Sequence, residues 1–514
     1  MRRKHVSFGR RLAFGVRLLA GLRKPDIQAA GVYVRARFGG HNPLSWLRFS
    51  CWALRQAFVV MPAVAAGVDV ARPVSRTPMW LDDANPWADY PWSRLAANST
   101  GDSELPSEVD TVVIGAGFTG AAAAYHWAKL ATDGRRLIVL EKDDPASGSS
   151  GRNEGLVVMG RYFAMVRDRM VERLRVVRDE LGESERRALA EKFSDVYCRA
   201  AYRNADLIEQ TVRDEGFDCD YARAGWVQAR GASEQESLVE SVESAAARGH
   251  GDWTSISPAE VLERSGMRVE HNAGFSLAAA SWHPAKWVWS LIDAALQNNC
   301  VSLFTRTPVA QIESFAGGYR VTTPRGVVEC RHVLLATESY SPQLEPRLHD
   351  AILPMQEQAA SGLGGPPTMA PHVGISGAWF FAGRYGERVL FGSGGSRVRD
   401  KEAGRNWPSR FLSWFVAGEM QSAFGQYELQ MTNEWSGTVG YTPDEYPIVG
   451  SLDDAGKYII AGMCGSGSGV SFNAARCLVE RILNHVADRD ADDDYPSDYF
   501  SPTRLLDPAN HTWP

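Results

Sequence analysis

Three glycines and one acid carry the first chemistry legible in this 514-residue chain. In Val112-Val113-Ile114-Gly115-Ala116-Gly117-Phe118-Thr119-Gly120 an apolar, β-branched run enters Gly-x-Gly-x-x-Gly, and Ala121 to Trp127 reads as the start of a helix. A second apolar strand, Leu137-Ile138-Val139-Leu140, ends in Glu141, 21 residues after Gly120. Strand, glycine turn, helix, strand and acid in this order form the βαβ pattern that cradles a dinucleotide. Gly115 allows the tight turn, Gly117 lets backbone approach a pyrophosphate, and Gly120 lets helix and strand pack closely. The helix N-terminus offers free N–H groups and a positive dipole end to phosphates, and Glu141 is placed to accept hydrogen bonds from a ribose diol.

Two further glycine-rich segments sit where a ligand could be approached. Ser147-Gly148-Ser149-Ser150-Gly151-Arg152-Asn153-Glu154-Gly155 follows the βαβ unit, and Gly465-Ser466-Gly467-Ser468-Gly469 lies between a buried strand, Tyr458 to Gly462, and a helix expected over Val470 to Val486. Seven scattered cysteines form no C-x-x-C pair, and no His/Cys cluster has zinc spacing. No metal is expected, and the odd, scattered count fits free thiols in a reducing, cytoplasmic compartment.

The elements that must position these residues follow from periodicity. Residues 162 to 213 read as strongly helical and charged, 257 to 266 as a helix begun by Ser257 or Pro258, and Trp282-His283-Pro284 as the start of a helix to Asn298. Short strands are expected at Asp218 to Tyr221, Gly225 to Ala229, Val301 to Thr305, Val309 to Glu313, Tyr319 to Thr323 and His332 to Thr337. A helix is expected over 409 to 424.

Charge is uneven. The net charge is −6, yet residues 1 to 60 carry 12 Lys/Arg against Asp26 alone, with Phe8, Phe14, Tyr33, Phe38, Trp46, Phe49 and Trp52 interleaved. Five aspartates between Asp488 and Asp494 make an acidic run. The basic segment reads as short helices that pack on the acidic body or dock a partner, lie peripherally on an anionic membrane, or serve targeting. The apolar stretch Ala57 to Val68 is too short to span a bilayer. The acidic body argues against nucleic acid as partner.

From about 108 to 490 the chain resembles the FAD-dependent D-amino acid oxidase-like (DAO) superfamily. Five blocks carry the resemblance in order: the fingerprint at 112–120; Glu141 with Ser149 to Asn153; His283-Pro284-Ala285; Thr307-Pro308-Val309 with Leu335-Ala336-Thr337; and Gly440 to Gly450 with the loop at 465–469. The resemblance implies a mixed α/β fold: a Rossmann-type FAD domain (108–160, 281–345, 435–490), a discontinuous mixed-sheet substrate domain (161–280, 346–434), an N-terminal extension (1–107) and a tail (491–514). It implies non-covalent FAD held by Gly115, Gly117, Phe118, Thr119, Gly120, Glu141, Lys142, Ser150, Arg152, Asn153, Val309, Ala336, Gly465, Ser466, Gly467, Ser468 and Gly469.

The activity it implies is oxidation of a carbon–nitrogen bond by hydride transfer to flavin N5, with oxygen or another electron-acceptor partner taking the electrons. The look is nearest to the γ-glutamylputrescine oxidase-like amine branch. Members acting on α-amino acids commonly carry an Arg just before the Thr-Pro-Asp block, but Trp435 to Tyr441 holds none. Glu154 stands where a small residue is usual, which suits a cationic amine. Gln356, on a strand expected to face the flavin, and Trp435, beside the flavin-side block, join Glu154 as the expected catalytic or substrate contacts.

Overall fold

Fully buried parallel strands read as unbroken apolar runs, and Leu137–Leu140 is buried at all four positions. The computed structural model describes residues 6–22, 34, 38–40, 42–66, 68–82, 85–88, 90, 105–483 and 495–511. Strand Glu108–Ile114 sits between Gly326–Leu335 and Leu137–Leu140, and Val301–Phe304 extends the sheet beyond Leu137–Leu140. All three pairings are parallel. An antiparallel meander, Gln311–Phe315 with Gly318–Thr323, continues from Gly326–Leu335, and Lys457–Ala461 pairs parallel to that same strand. Helix Phe118–Leu130 crosses between the two central strands and packs against Pro284–Leu296 and Gly467–Ile482.

The second sheet has nine strands. Leu353–Gly364 is third from one edge, antiparallel to both Leu429–Tyr441 and Arg388–Arg397. Beyond Arg388–Arg397 come Phe381–Tyr385, Gly374–Ser376, Trp226–Ala229, Ala273–Ser276 and Trp253–Ile256. Strand Val68–Ser75, from the N-terminal extension, closes the other edge by pairing with Leu429–Tyr441. The expected division at 434/435 falls inside that strand.

Several expected elements shift. The charged helical region is two helices, Ala164–Val177 and Glu183–Glu215. Asp218 to Tyr221 is not a strand; Asp220 turns there at φ +52°. The meander's first strand starts at Gln311, two residues after Val309. The last helix begins at Gly467, inside the glycine-rich loop, because its small residues let the first turn approach Val158. A Cβ on Gly469 would stand 2.3 Å from the Val158 carbonyl. Ser257 does cap Pro258–Ser265, in a reciprocal box with Glu260. All seven cysteines are free.

The N-terminal segment contains helices Phe8–Ala20 and Pro43–Arg55. They lie on helix Arg410–Phe424, with Phe14 edge-on to Trp414 and Trp52 edge-on to Phe415. Tyr33, Pro91-Trp92 and the aspartates 488–494 lie outside the described residues.

Candidate active site

Both sheets open onto one cavity of about 840 Å³. Its cofactor end is built by the glycine turn. Gly115 has φ +105°, and a Cβ there would stand 2.6 Å from the Ala336 carbonyl. A Cβ on Gly120 would stand 1.8 Å from the Gly115 carbonyl, so neither position admits a side chain without backbone movement. Ser150 Oγ accepts from Phe118 N at 2.8 Å and fills the space beside Gly117. Glu141 is buried; its two carboxylate oxygens accept from Ala116 N and Asp143 N, each at 2.8 Å. Burial raises its pKa, and those two N–H groups oppose the shift. The acid is thus oriented, with lone pairs left for a diol.

Of the expected cofactor contacts, Gly115, Gly117, Phe118, Thr119, Glu141, Lys142, Ser150, Arg152, Asn153, Val309, Ala336, Gly465, Gly467 and Ser468 line this cavity. Gly120, Ser466 and Gly469 do not: Gly120 and Gly469 serve close packing, and Ser466 Oγ donates to the Met159 carbonyl. The loop after Ser149 is internally tied. Asn153 Nδ2 donates to Ser150 O at 2.7 Å, and Arg152 donates to the Ser147 and Ser436 carbonyls. The donor set and the side-chain-free cradle fit an FAD diphosphate and ribose.

The other end of the cavity is acidic and aromatic. Glu154, Glu357, Tyr441, Trp379, Phe380 and Phe381 line it. Burial, and then the neighbouring Glu357 charge, push the Glu154 carboxyl up to about 8. Glu357 is also raised by burial, although Tyr441 Oη donates to it at 2.9 Å. Lys142 and Arg152 are the cations among the described lining residues, and both belong to the cofactor end. Between the two ends, Glu338 is held at φ +48° and accepts from the N–H groups of Gly440, Gly462 and Met463. It locks the end of Leu429–Tyr441 to the glycine-rich loop, and burial still pushes its carboxyl up to about 7.

Two expected substrate contacts are corrected by this geometry. Gln356 points to the opposite face of its strand, where its amide donates to Arg405 O and Ser436 Oγ. Side chains alternate along a strand, so its neighbour Glu357 faces the cavity instead. Trp435 is fully buried, and its indole donates to the Arg152 carbonyl at 2.9 Å. It therefore supports the Arg152 loop and does not line the cavity. Glu154 lines the cavity.

Outside the cavity, His283 caps Pro284–Leu296 by accepting from Lys286 N. Asp444 is buried against Arg504 of the C-terminal tail, at 2.6 Å. Sequence reasoning missed Glu338, Glu357, Tyr441 and Trp80. Trp80 Nε1 donates to the Asn153 carbonyl at 2.8 Å, so the irregular lead-in braces the loop that carries Glu154. Nothing local marks Glu357 over Gln356, and nothing local marks Trp80.

A glycine turn on a parallel sheet, a ribose acid and a chamber under a second sheet define an FAD-dependent oxidoreductase. The chain belongs to the family of FAD dependent oxidoreductases designated DAO, whose profile matches residues 110–481. It is 23% identical over 389 residues to a probable oxidoreductase, OrdL, of Haemophilus influenzae, covering 73% of this chain and 83% of that one. It is likewise 23% identical to the gamma-glutamylputrescine oxidoreductase of Escherichia coli, covering 77% and 89%. Its fold is similar to the crystal structure of L-proline dehydrogenase from P. horikoshii, with a TM-score of 0.61 at 18% identity over 74% of this chain and 95% of that one.

Proposed function

We propose that this enzyme oxidises the carbon–nitrogen bond of a cationic amine lacking an α-carboxylate. The observation that carries the reading is the wall opposite the cofactor cradle. Glu154 and Glu357 present two carboxyls there, and no described cation lines that end to pair a substrate carboxylate. Buried like charges are costly together, and an ammonium ligand relieves that cost. Arg384, another conceivable clamp, is used up on the carbonyls of Pro366 and Met369.

Gly115, Gly117, Ser150 and Glu141 would hold FAD, which when bound would supply the two-electron acceptor for this oxidation, with oxygen or another acceptor as the final electron sink. The chain's own part is alignment and protonation state. Trp379, Phe380 and Phe381 offer apolar wall to the substrate's carbon chain. The Glu154–Glu357 pair draws in the ammonium and accepts its proton, since hydride leaves readily only from the carbon of a neutral amine. The resulting iminium then hydrolyses to carbonyl and amine.

The test is anaerobic bleaching of the purified flavoprotein by a panel of mono-, di- and polyamines, N-methyl amines and α-amino acids. Reduction by amines without an α-carboxylate is expected. Preferential reduction by α-amino acids, or none by any amine, overturns the proposal. Fast bleaching followed by slow recovery in air would assign the electrons to an acceptor other than oxygen.

A further inference from the structure

We propose that the outward faces of the two N-terminal helices form a docking surface for an anionic lipid bilayer. The family profile matches from residue 110, so these helices lie outside the residues it covers. Their inward faces are already occupied. A Cβ on Gly15 would stand 2.2 Å from the Phe58 ring, so Phe8–Ala20 sits directly on the following segment. Phe14, Leu18 and Trp52 pack on the core cluster that holds Met61, Trp414 and Phe415.

What remains outward is apolar and basic. Phe8, Leu12 and Val16 recur at four-residue spacing on one face of the first helix, at 81%, 48% and 54% exposure. Leu44, Leu47 and Leu54, three and seven residues apart, share one face of the second, at 55%, 61% and 51%. Exposed large apolar side chains scattered singly are ordinary, but two stripes within 47 residues mark an interaction surface. Arg10, Arg17, Arg48 and Arg55 are exposed on the same helices, neither helix carries an acid, and none of these arginines is ion-paired among the described residues.

The chemistry selects the occupant. Apolar stripes flanked by arginine match the boundary between acyl chains and anionic headgroups. The body of the protein carries the opposite charge, about −17 outside residues 1–60, so it is held off the bilayer while the basic face is drawn in. No helix among the described residues is long and apolar enough to cross a membrane, so the contact proposed is peripheral.

The experiment is co-sedimentation of the full-length, FAD-loaded protein with vesicles of phosphatidylcholine alone or with one part in three phosphatidylglycerol. Binding is expected to the phosphatidylglycerol vesicles, with release in about 1 M salt, where the screening length falls to about 3 Å. The double variant Arg10→Gln/Arg48→Gln should lower the partition coefficient roughly 30-fold, two basic contacts being removed. Leu12→Ser/Leu47→Ser should lower it on the order of tenfold or more without altering salt sensitivity. Amine oxidation in solution should be unchanged in both. Equal sedimentation with both vesicle types, or undiminished binding by the arginine variant, overturns the proposal. So does a stripe-dependent change of oligomeric state without vesicle binding, which would make a second copy of the chain the occupant.

Discussion

Replacing Glu154 by glutamine separates the charge of the substrate wall from its shape. The carboxyl sits at about 8 in the folded protein against an ordinary 4.5, because it is buried and faces Glu357. Between those two pH values the folded state holds a proton that the unfolded chain has released, so stability falls as pH rises through the window. At about 1.4 kcal/mol per pH unit the cost reaches about 3 kcal/mol at pH 7 and nearly 5 above pH 8. Glu154 is only partly buried by accessible surface, and solvent screening removes roughly half of this, leaving about 2 kcal/mol at pH 8 to 9. Glutamine cannot ionise and escapes the cost. E154Q should therefore melt about 2 °C higher than the parent at pH 9, a small shift because the chain is long. The difference should vanish below about pH 4.5.

On the proposed reading, the same titration governs ligand binding. An entering cation favours the ionised pair, so it must displace a proton at neutral pH. Tetramethylammonium, which has no proton of its own to lose, is the clean probe. Its affinity, followed by perturbation of the flavin spectrum, should rise up to about tenfold per pH unit as pH approaches 8 and then level off. In E154Q that slope should flatten and amine kcat/KM should fall about 10- to 100-fold, the loss of one charge-assisted contact. Parallel melting curves for parent and variant from about pH 5 to pH 9 would refute the burial argument. A pH-independent tetramethylammonium affinity in the parent would refute the assignment of the pair to cation binding.

Other expectations concern the cradle and the staples. Gly120→Ala drives a methyl into the Gly115 carbonyl at 1.8 Å, so the purified protein should lack the visible flavin spectrum while retaining much of its helical circular dichroism. Glu141→Gln keeps the shape but weakens acceptance from the ribose, and should cost about 1.5–3 kcal/mol of FAD affinity by fluorescence titration. Tyr441→Phe removes the hydroxyl that donates to Glu357, so that carboxyl should rise further and the ascending limb of anaerobic flavin reduction, where the pair ionises, should move to higher pH. Arg504→Met strands Asp444 as an unpaired buried charge and should destabilise by about 3–5 kcal/mol in denaturant melts, whereas Asp444→Asn/Arg504→Met together should recover part of the loss.

The cofactor half of the site was legible because its constraints are local. A turn that must approach phosphate admits only glycine, and an acid at the end of the next strand is fixed by register; both survive as sequence spacing. The substrate half depends on which way a side chain points from a strand. Gln356 and Glu357 are equally plausible in sequence, and only the pairing of Leu353–Gly364 with its neighbours decides that the glutamate faces inward. Trp435 shares a face with Gly437, Val439 and Tyr441, which do line the cavity, yet its indole is covered by the Arg152 carbonyl. Parity alone would have placed it wrongly; the covering loop comes from 283 residues earlier. Trp80 and Arg504 were invisible for the same reason, since they act across 73 and 60 residues of chain.

Those distant contacts converge on the loop at 149–155, and this explains how an acid at position 154 can be tolerated beside another. Trp80 holds the Asn153 carbonyl, Trp435 holds the Arg152 carbonyl and Tyr385 donates to the Glu154 carbonyl. Three consecutive backbone carbonyls are thus fixed by aromatic donors from three separate parts of the chain. Gly155 follows at φ +75°, with no room for a Cβ against Trp80. A loop free to move would swing Glu154 away from Glu357 and into water, where its carboxyl would ionise at no cost. Fixed as it is, the loop keeps the two carboxyls together at the wall. On the proposed reading, the repulsion between them is relieved by a cation that enters the cavity, and binding selectivity comes from backbone restraint as much as from the acids themselves.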